Sequence, residues 1–303
     1  MIPLAVTVSA RAGQRLSSVA RAQAAAWGLP WLDRPEQGGL APVLVDQVAA
    51  LLILGGEGWV LRDREGEVGF SPGLATVRIK RLDPARRTAG ASEPGASNQA
   101  DDQLVRLGQL GPGDVVLDAT LGLAADALVC ARAVGVSGRV IGVEASLPLF
   151  LLVKEGLARM RPFPKSCAIE PRLGRAEALL AELPDGSVDC VLFDPMFDRP
   201  RRASQAFDVL RRFALHEPLT EETLFEARRV ARRWVVVKVG RYGQELKRLK
   251  LEAVPQTRAG PLVWARVASL GSGNVGGAER GLGQPLGHDG PLREKAVFSL
   301  REP

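Results

Sequence analysis

Three apolar runs in the middle of the chain each end in an acid. They are Val115-Val116-Leu117-Asp118, Val140-Ile141-Gly142-Val143-Glu144 and Val188 to Phe193 followed by Asp194. Each run has the length of a buried strand, and helix-patterned segments separate them. Strands are expected at 115–118, 140–144, 167–171, 188–194, 234–239 and 262–267. Helices are expected at 124–133, 148–160, 176–182, 204–215 and 221–233. The last helix opens with Thr220 as a cap and two acids in its first turn, which suit the helix dipole. Leu224, Ala227, Val230, Ala231 and Trp234 make its expected buried stripe. Strands alternating with helices form a mostly parallel sheet covered on both faces. Ligands of such sheets bind beyond the carboxyl ends of the strands. That is where the three acids fall.

The 303 residues suggest about two domains. Residues 1–82 read as a small α+β unit. It has a strand at 4–8, a helix at 14–27, helical spacing at 43–52, a strand or helix end at 51–54, and a hairpin of 59–62 with 67–70. Residues 83–100, rich in Ala, Gly, Ser and Pro, read as a linker, and 101–270 form the alternating domain. Residues 271–303, with many Gly and Pro, read as a flexible tail. No apolar run reaches the roughly 18 residues needed to span a membrane. The first residues lack the pattern of a signal peptide, so the expected location is the cytoplasm. Cys130, Cys167 and Cys190 each lie in or beside an apolar run and read as buried reduced thiols. With only two histidines, far apart, no metal-ligand spacing is present.

The turn after the first acid narrows the ligand. A dinucleotide site needs several glycines, so that backbone and a helix N-terminus can approach a pyrophosphate. Here Gly122 stands alone, followed by Ala124 and Ala125. Asp118 repels phosphate but suits a cation. S-adenosylmethionine (SAM) carries an ammonium and a sulfonium and no phosphate, so it is the expected cofactor. In this reading Asp118, Gly122 and Asp126 hold the methionine end. Glu144 accepts from the ribose hydroxyls, and Glu177 lies near the adenine.

The third acid opens Asp194-Pro195-Met196-Phe197. An exocyclic amine on a ring is a weak nucleophile because its lone pair is delocalised. A carboxylate and a fixed carbonyl can accept its two N–H groups, drive the nitrogen towards sp³ and aim its lone pair at a methyl group. Asp194 and Pro195 fit those roles, and Phe197 can stack on a base. Arg199, Arg201, Arg202 and Ser204 follow at once and suit flanking phosphates. Between Arg199 and Lys250 there are 14 Lys and Arg against 6 Asp and Glu, whereas the whole chain carries +6. This basic window favours an RNA partner over a small substrate.

These segments resemble the bacterial family of small-subunit ribosomal RNA guanine-N2 methyltransferases, its J member. The resemblance lies in Asp118 to Leu128, Glu144-Ala145-Ser146, Asp194-Pro-Met-Phe with Arg201-Arg-Ala-Ser, Lys238 after Val235-Val-Val, and Phe70-Ser-Pro-Gly-Leu-Ala. It spans about residues 65–268. It implies a class I (Rossmann-like) α/β fold with a seven-stranded, mostly parallel sheet and a small N-terminal domain. It further implies a cofactor site lined by Ala125, Asp126, Glu144, Ala145, Ala176, Glu177 and Asp194. Lys238 joins Phe197, Arg199, Arg201, Arg202 and Ser204 on the substrate side. Ala124 stands where the family has a second glycine, and Ala125 where an arginine is expected. The implied partner is 16S ribosomal RNA or the small subunit, with no membrane and no metal. Two alternatives stay open: an amino-group methyltransferase for a protein or small molecule, and a non-catalytic RNA-binding or assembly factor.

Overall fold

The computed structural model describes residues 2–35, 39–83, 102–195, 205–241, 244–255 and 262–272. Two sheets organise them. The first holds β1 (Ile2–Val8), β2 (Val48–Gly55), β3 (Gly58–Arg62) and β4 (Glu67–Gly69) in that order. β1 and β2 are parallel, and the other pairs are antiparallel. α1 (Gln14–Ala26) and α2 (Ala41–Asp46) accompany this sheet.

The helical spacing expected over 43–52 ends early. Helix α2 stops at Asp46 and the chain turns straight into β2. Val48, Ala50, Leu51, Leu52 and Leu54 are fully buried there. A central strand buried on both faces is continuously apolar, so its sequence does not show strand alternation.

The second sheet has the order β10-β9-β8-β5-β6-β7. Its strands are β5 (Val115–Asp118), β6 (Arg139–Glu144), β7 (Ile169–Leu173), β8 (Val188–Phe193), β9 (Ala231–Gly240) and β10 (Leu262–Ala268). All pairs are parallel except β9 with β10. Six strands, not seven, are present among the described residues. Chain order reverses between β5 and its neighbours β6 and β8. This is the switch point at which such sheets open a crevice.

Helices α4 (Gln103–Gly108) and α5 (Ala125–Val134) cover one face, together with α3 (Gly73–Arg81) from the N-terminal part. The other face is covered by α7 (Ala176–Glu182) and α9 (Glu221–Val230), with Leu249 just beyond α10 (Glu245–Arg248). A helix expected to run to Arg233 ends at Val230. Ala231 turns extended and pairs with Val188, so Trp234 lies on β9 and not on the α9 stripe. Pairing with β8 overrides the helical periodicity. Thr220 caps α9 as expected, its Oγ1 accepting the Thr223 N–H at 3.1 Å. The third strand begins at Ile169, two residues later than its apolar run suggests, because pairing with β6 joins Val140 to Ile169 and Glu144 to Leu173.

The N-terminal sheet is not a detached module. One core joins Leu4, Val6, Leu52, Leu54, Trp59 and Leu61 to Leu149–Leu152 of α6 (Leu147–Arg159) and to Val209 and Leu210 of α8 (Gln205–Phe213). Helix α6 thus buries one side on the N-terminal sheet, while Val153 joins the core under β5 and β6. Phe70 seats against Gly156 of α6, where no Cβ would fit. Cys130 and Cys190 are buried, and Cys167 is only half-buried. Most of the expected linker and tail lies outside the described residues. No helix among the described residues is long and apolar enough to cross a membrane.

Candidate active site

A cleft of about 760 Å³, including its open mouth, lies beyond the carboxyl ends of β5, β6 and β8. Thr120 and Gly122 from the β5 turn, Glu144 and Ala145 from the end of β6, and Gly174, Ala176 and Glu177 before and in α7 form its walls. Asp194 and Pro195 close it from β8. Leu210, Ala214, Leu215, Glu217, Pro218 and Leu219, in and after α8, form the outer wall. At the mouth Glu217 bridges to Arg175, whose Nη1 donates at 3.0 Å.

Glu144 is 7% exposed and held by backbone. Its Oε2 accepts the Gly122 N–H at 3.0 Å and its Oε1 the Ser146 N–H at 2.9 Å. Burial raises its pKa, and the amide hydrogen bonds oppose this. A carboxylate fixed in this way keeps lone pairs for a pair of hydroxyls. The turn itself is left-handed at Gly122 (φ 50°) and at Ala124 (φ 61°). Left-handed backbone costs a non-glycine residue roughly 1–2 kcal/mol. That is the physical reason why glycine would suit the position that Ala124 holds.

Asp118 and Asp126 flank the turn between β5 and α5. Neither lines the cleft, and neither does Ala125 at the start of α5. Asp118 is 1% exposed and accepts the Thr120 N–H at 3.1 Å. Burial, then repulsion from Asp126, pushes its carboxyl up to about 8, so it is largely neutral at pH 7. Asp126 has both oxygens engaged. Arg78 pairs with Oδ1, and Lys238 Nζ reaches Oδ2 at 2.8 Å. Burial opposes its ionisation, but the two cations win and hold its pKa low.

Asp194 is the member of this group that faces the cleft. Its N–H donates to Thr120 Oγ1 at 2.6 Å, which ties the end of β8 to the β5 turn. Lys238 pairs with Asp194 Oδ2. Burial first, then Asp126, raises the pKa of Asp194 against the pull of Lys238. Lys238 does not line the cleft. It sits behind Asp194, 14% exposed, with Nζ 5.0 Å from the Trp264 ring centroid. Thr120 and Arg78 escaped the sequence reading. Arg78 comes from α3, just after the Phe70-Ser71-Pro72-Gly73 segment, and that segment's likeness to the family was its one signal.

Phe197, Arg199, Arg201, Arg202 and Ser204 lie outside the described residues. The basic window is less free than its charge suggests. Arg212, Arg229, Arg232, Arg233, Lys238 and Lys250 each pair with an acid.

A doubly covered parallel sheet with a cleft at its switch point defines a nucleoside-binding protein of the class I methyltransferase type. Glu144 held by two backbone amides, apolar walls and the Asp194 carboxylate at the cleft fit an adenosyl sulfonium. A sequence profile of the SAM-dependent methyltransferase family (SAM_MT) matches residues 96–260, more than half of the chain, and the chain belongs to that family. Its cofactor is SAM. The uncharacterized protein YpiP of Bacillus subtilis is 32% identical over 245 residues, covering 77% of this chain and 87% of that protein. Ribosomal RNA small subunit methyltransferase J of Laribacter hongkongensis is 33% identical over 195 residues, covering 62% and 68%. A SAM-dependent methyltransferase from Neisseria gonorrhoeae shares the fold, with a TM-score of 0.56 at 19% identity over 88% of this chain and 96% of that one.

Proposed function

We propose that this methyltransferase acts on an exocyclic amine of an RNA base, guanine N2 of small-subunit ribosomal RNA. The observation that carries the reading is Asp194-Pro195 on the cleft wall at the end of β8, anchored by Thr120 and Lys238. The likeness to a relative named as a ribosomal RNA methyltransferase supports the RNA target. Gly122, Glu144, Ala145, Ala176 and Glu177 hold the cofactor, with Glu144 on the ribose. Asp118, largely neutral, and Asp126, locked to two cations, shape the site from behind and do not hold the ammonium directly. When bound, SAM supplies an electrophilic methyl on a sulfonium. The Asp194 carboxylate and the Pro195 carbonyl accept the two amine N–H groups and turn the nitrogen lone pair towards that methyl. The nitrogen–methyl bond would form as the methyl–sulfur bond breaks, leaving a neutral thioether, and the proton shed by the methylated nitrogen would pass to bulk water. Phe197 stacks on the base, and Arg199, Arg201, Arg202 and Ser204 meet its flanking phosphates.

Labelled SAM incubated with the protein and either naked 16S RNA or small subunits tests the reading. Label in N2-methylguanine is expected, and label in protein alone would reject the RNA target. Asp194→Ala is expected to cut turnover at least about 100-fold, the scale of losing a polar group that acts in the transition state. Its affinity for SAM should change little.

A further inference from the structure

Behind the cleft runs a chain of five side chains of alternating charge: Asp102, Arg78, Asp126, Lys238 and Asp194. Arg78 forks onto Asp102, with Nε 2.7 Å from Oδ2 and Nη2 3.0 Å from Oδ1, and its remaining Nη1 pairs with Asp126. Asp102 also caps α4 through the Leu104 N–H at 3.1 Å. Lys238 then joins Asp126, at 2.8 Å, to Asp194. The buried members have little access to water: side-chain exposure is 7% for Asp102, 22% for Arg78, 6% for Asp126 and 14% for Lys238. Asp194, at 30%, is the end that opens on the cleft.

Three acids and two bases leave one net negative charge. Asp194 also faces the largely neutral Asp118 from β5, and Glu144, Glu177 and Glu217 share its cleft. Without Lys238, Asp194 would be a buried carboxylate among acids. It would take up a proton and become a donor where the amine needs an acceptor. Without Arg78, Asp126 would compete for Lys238 alone. The fork geometry needs a guanidinium, because an ammonium cannot meet Asp102 bidentately and Asp126 together.

We infer that Lys238 and Arg78 are positioning residues for methyl transfer: Lys238 fixes Asp194 Oδ2 and keeps the carboxylate an acceptor, and Arg78 of α3 holds Lys238 in place through Asp126. The N-terminal part of the chain therefore completes the reacting end of the site. This rests on the amine-orienting role proposed for Asp194.

The test is a carbon-13 NMR titration of the Asp194 carboxyl in the full chain, assigned by its loss in Asp194→Asn, with SAM affinity measured by calorimetry. In Lys238→Met the Asp194 midpoint is expected to rise by at least one pH unit. In Arg78→Gln it should rise less, and Lys238→Arg should restore most of the wild-type value. Turnover in Lys238→Met should fall at least tenfold, with SAM affinity within about threefold. An unmoved midpoint in Lys238→Met would overturn the assignment. If that variant does not fold, an unmoved midpoint in Arg78→Gln does the same. Full turnover by Asp194→Asn, or the absence of any RNA label, would reject the proposed function while leaving the titration result standing.

Discussion

Asp118 and Asp126 sit eight residues apart around one turn, yet their surroundings drive one towards the neutral acid and the other towards the carboxylate. Asp118 accepts a backbone hydrogen bond from Thr120, and burial with the push of Asp126 and Asp194 outweighs that bond and the weaker pull of Lys238. Asp126 has Arg78 and Lys238, so attraction outweighs burial. A carboxyl whose folded pKa lies near 8, well above its unfolded value of 3.8, holds its proton more tightly in the folded state. Its contribution is fully present below about pH 4 and is lost as pH rises towards 8. Asp118→Asn keeps the shape and removes the titration. Denaturant melts from pH 5 to 9 should show a flatter stability profile for the variant and a relative gain over wild type at pH 8 to 9. Parallel profiles would show that Asp118 is already ionised in the folded protein.

At the scale of elements, α6 carries the packing between the two sheets. An Ala Cβ at position 156 would stand 2.2 Å from Phe70 Cγ and 2.4 Å from Phe70 Cβ. Replacing a mid-helix glycine by alanine gains about 1 kcal/mol in propensity. Overpacking costs about 1–3 kcal/mol. The clash includes the Phe70 Cβ, which cannot swing away, so the cost should win. Gly156→Ala is expected to lower stability by about 1–2 kcal/mol, read as a lower urea midpoint with unchanged slope. A raised midpoint would mean that Phe70 does not occupy this seat. The glycine is invisible as a requirement in the sequence, since the helical pattern around it, Leu149 to Leu157, continues through it.

The whole molecule is tied together by a second cross-connection. Asp63, in the β3–β4 turn, accepts from Arg212 of α8 at 2.6 and 3.0 Å, and from the Glu65 and Gly66 N–H groups at 2.8 and 2.9 Å. Burial pushes the Asp63 carboxyl up, but Arg212 and the turn amides outweigh it and hold the pKa below the usual value. Leu210 and Ala214 of the same segment wall the cleft. A double-mutant cycle of Asp63→Ala and Arg212→Ala should give a coupling of about 1.5–3 kcal/mol, the range for charge-assisted hydrogen bonds. Either single variant should weaken SAM binding several-fold by calorimetry. Unchanged affinity with the coupling intact would confine the pair to stability alone.

The sequence by itself determined the parallel sheet, the turn after β5 and the presence of Glu144 and Asp194 at strand ends. These follow from local signals: apolar runs of strand length, helix caps and acids at fixed places in each βα unit. It also pointed to SAM, because one glycine and an early acid do not suit a pyrophosphate. Only the tertiary structure decided which acids face the cleft. Asp118 and Asp126 carry the same residue type near the same turn as the wall residues. Their roles depend on Arg78, 48 positions before Asp126 in the chain, and on Lys238, 112 positions after it. Ion pairs over such separations leave no periodicity in sequence, and neither does a carboxyl's protonation state, which is set by burial. The same holds for the basic window, whose charge is visible in the sequence and whose partners, Asp63, Asp114, Asp185 and Asp189 among them, are brought to it by the fold.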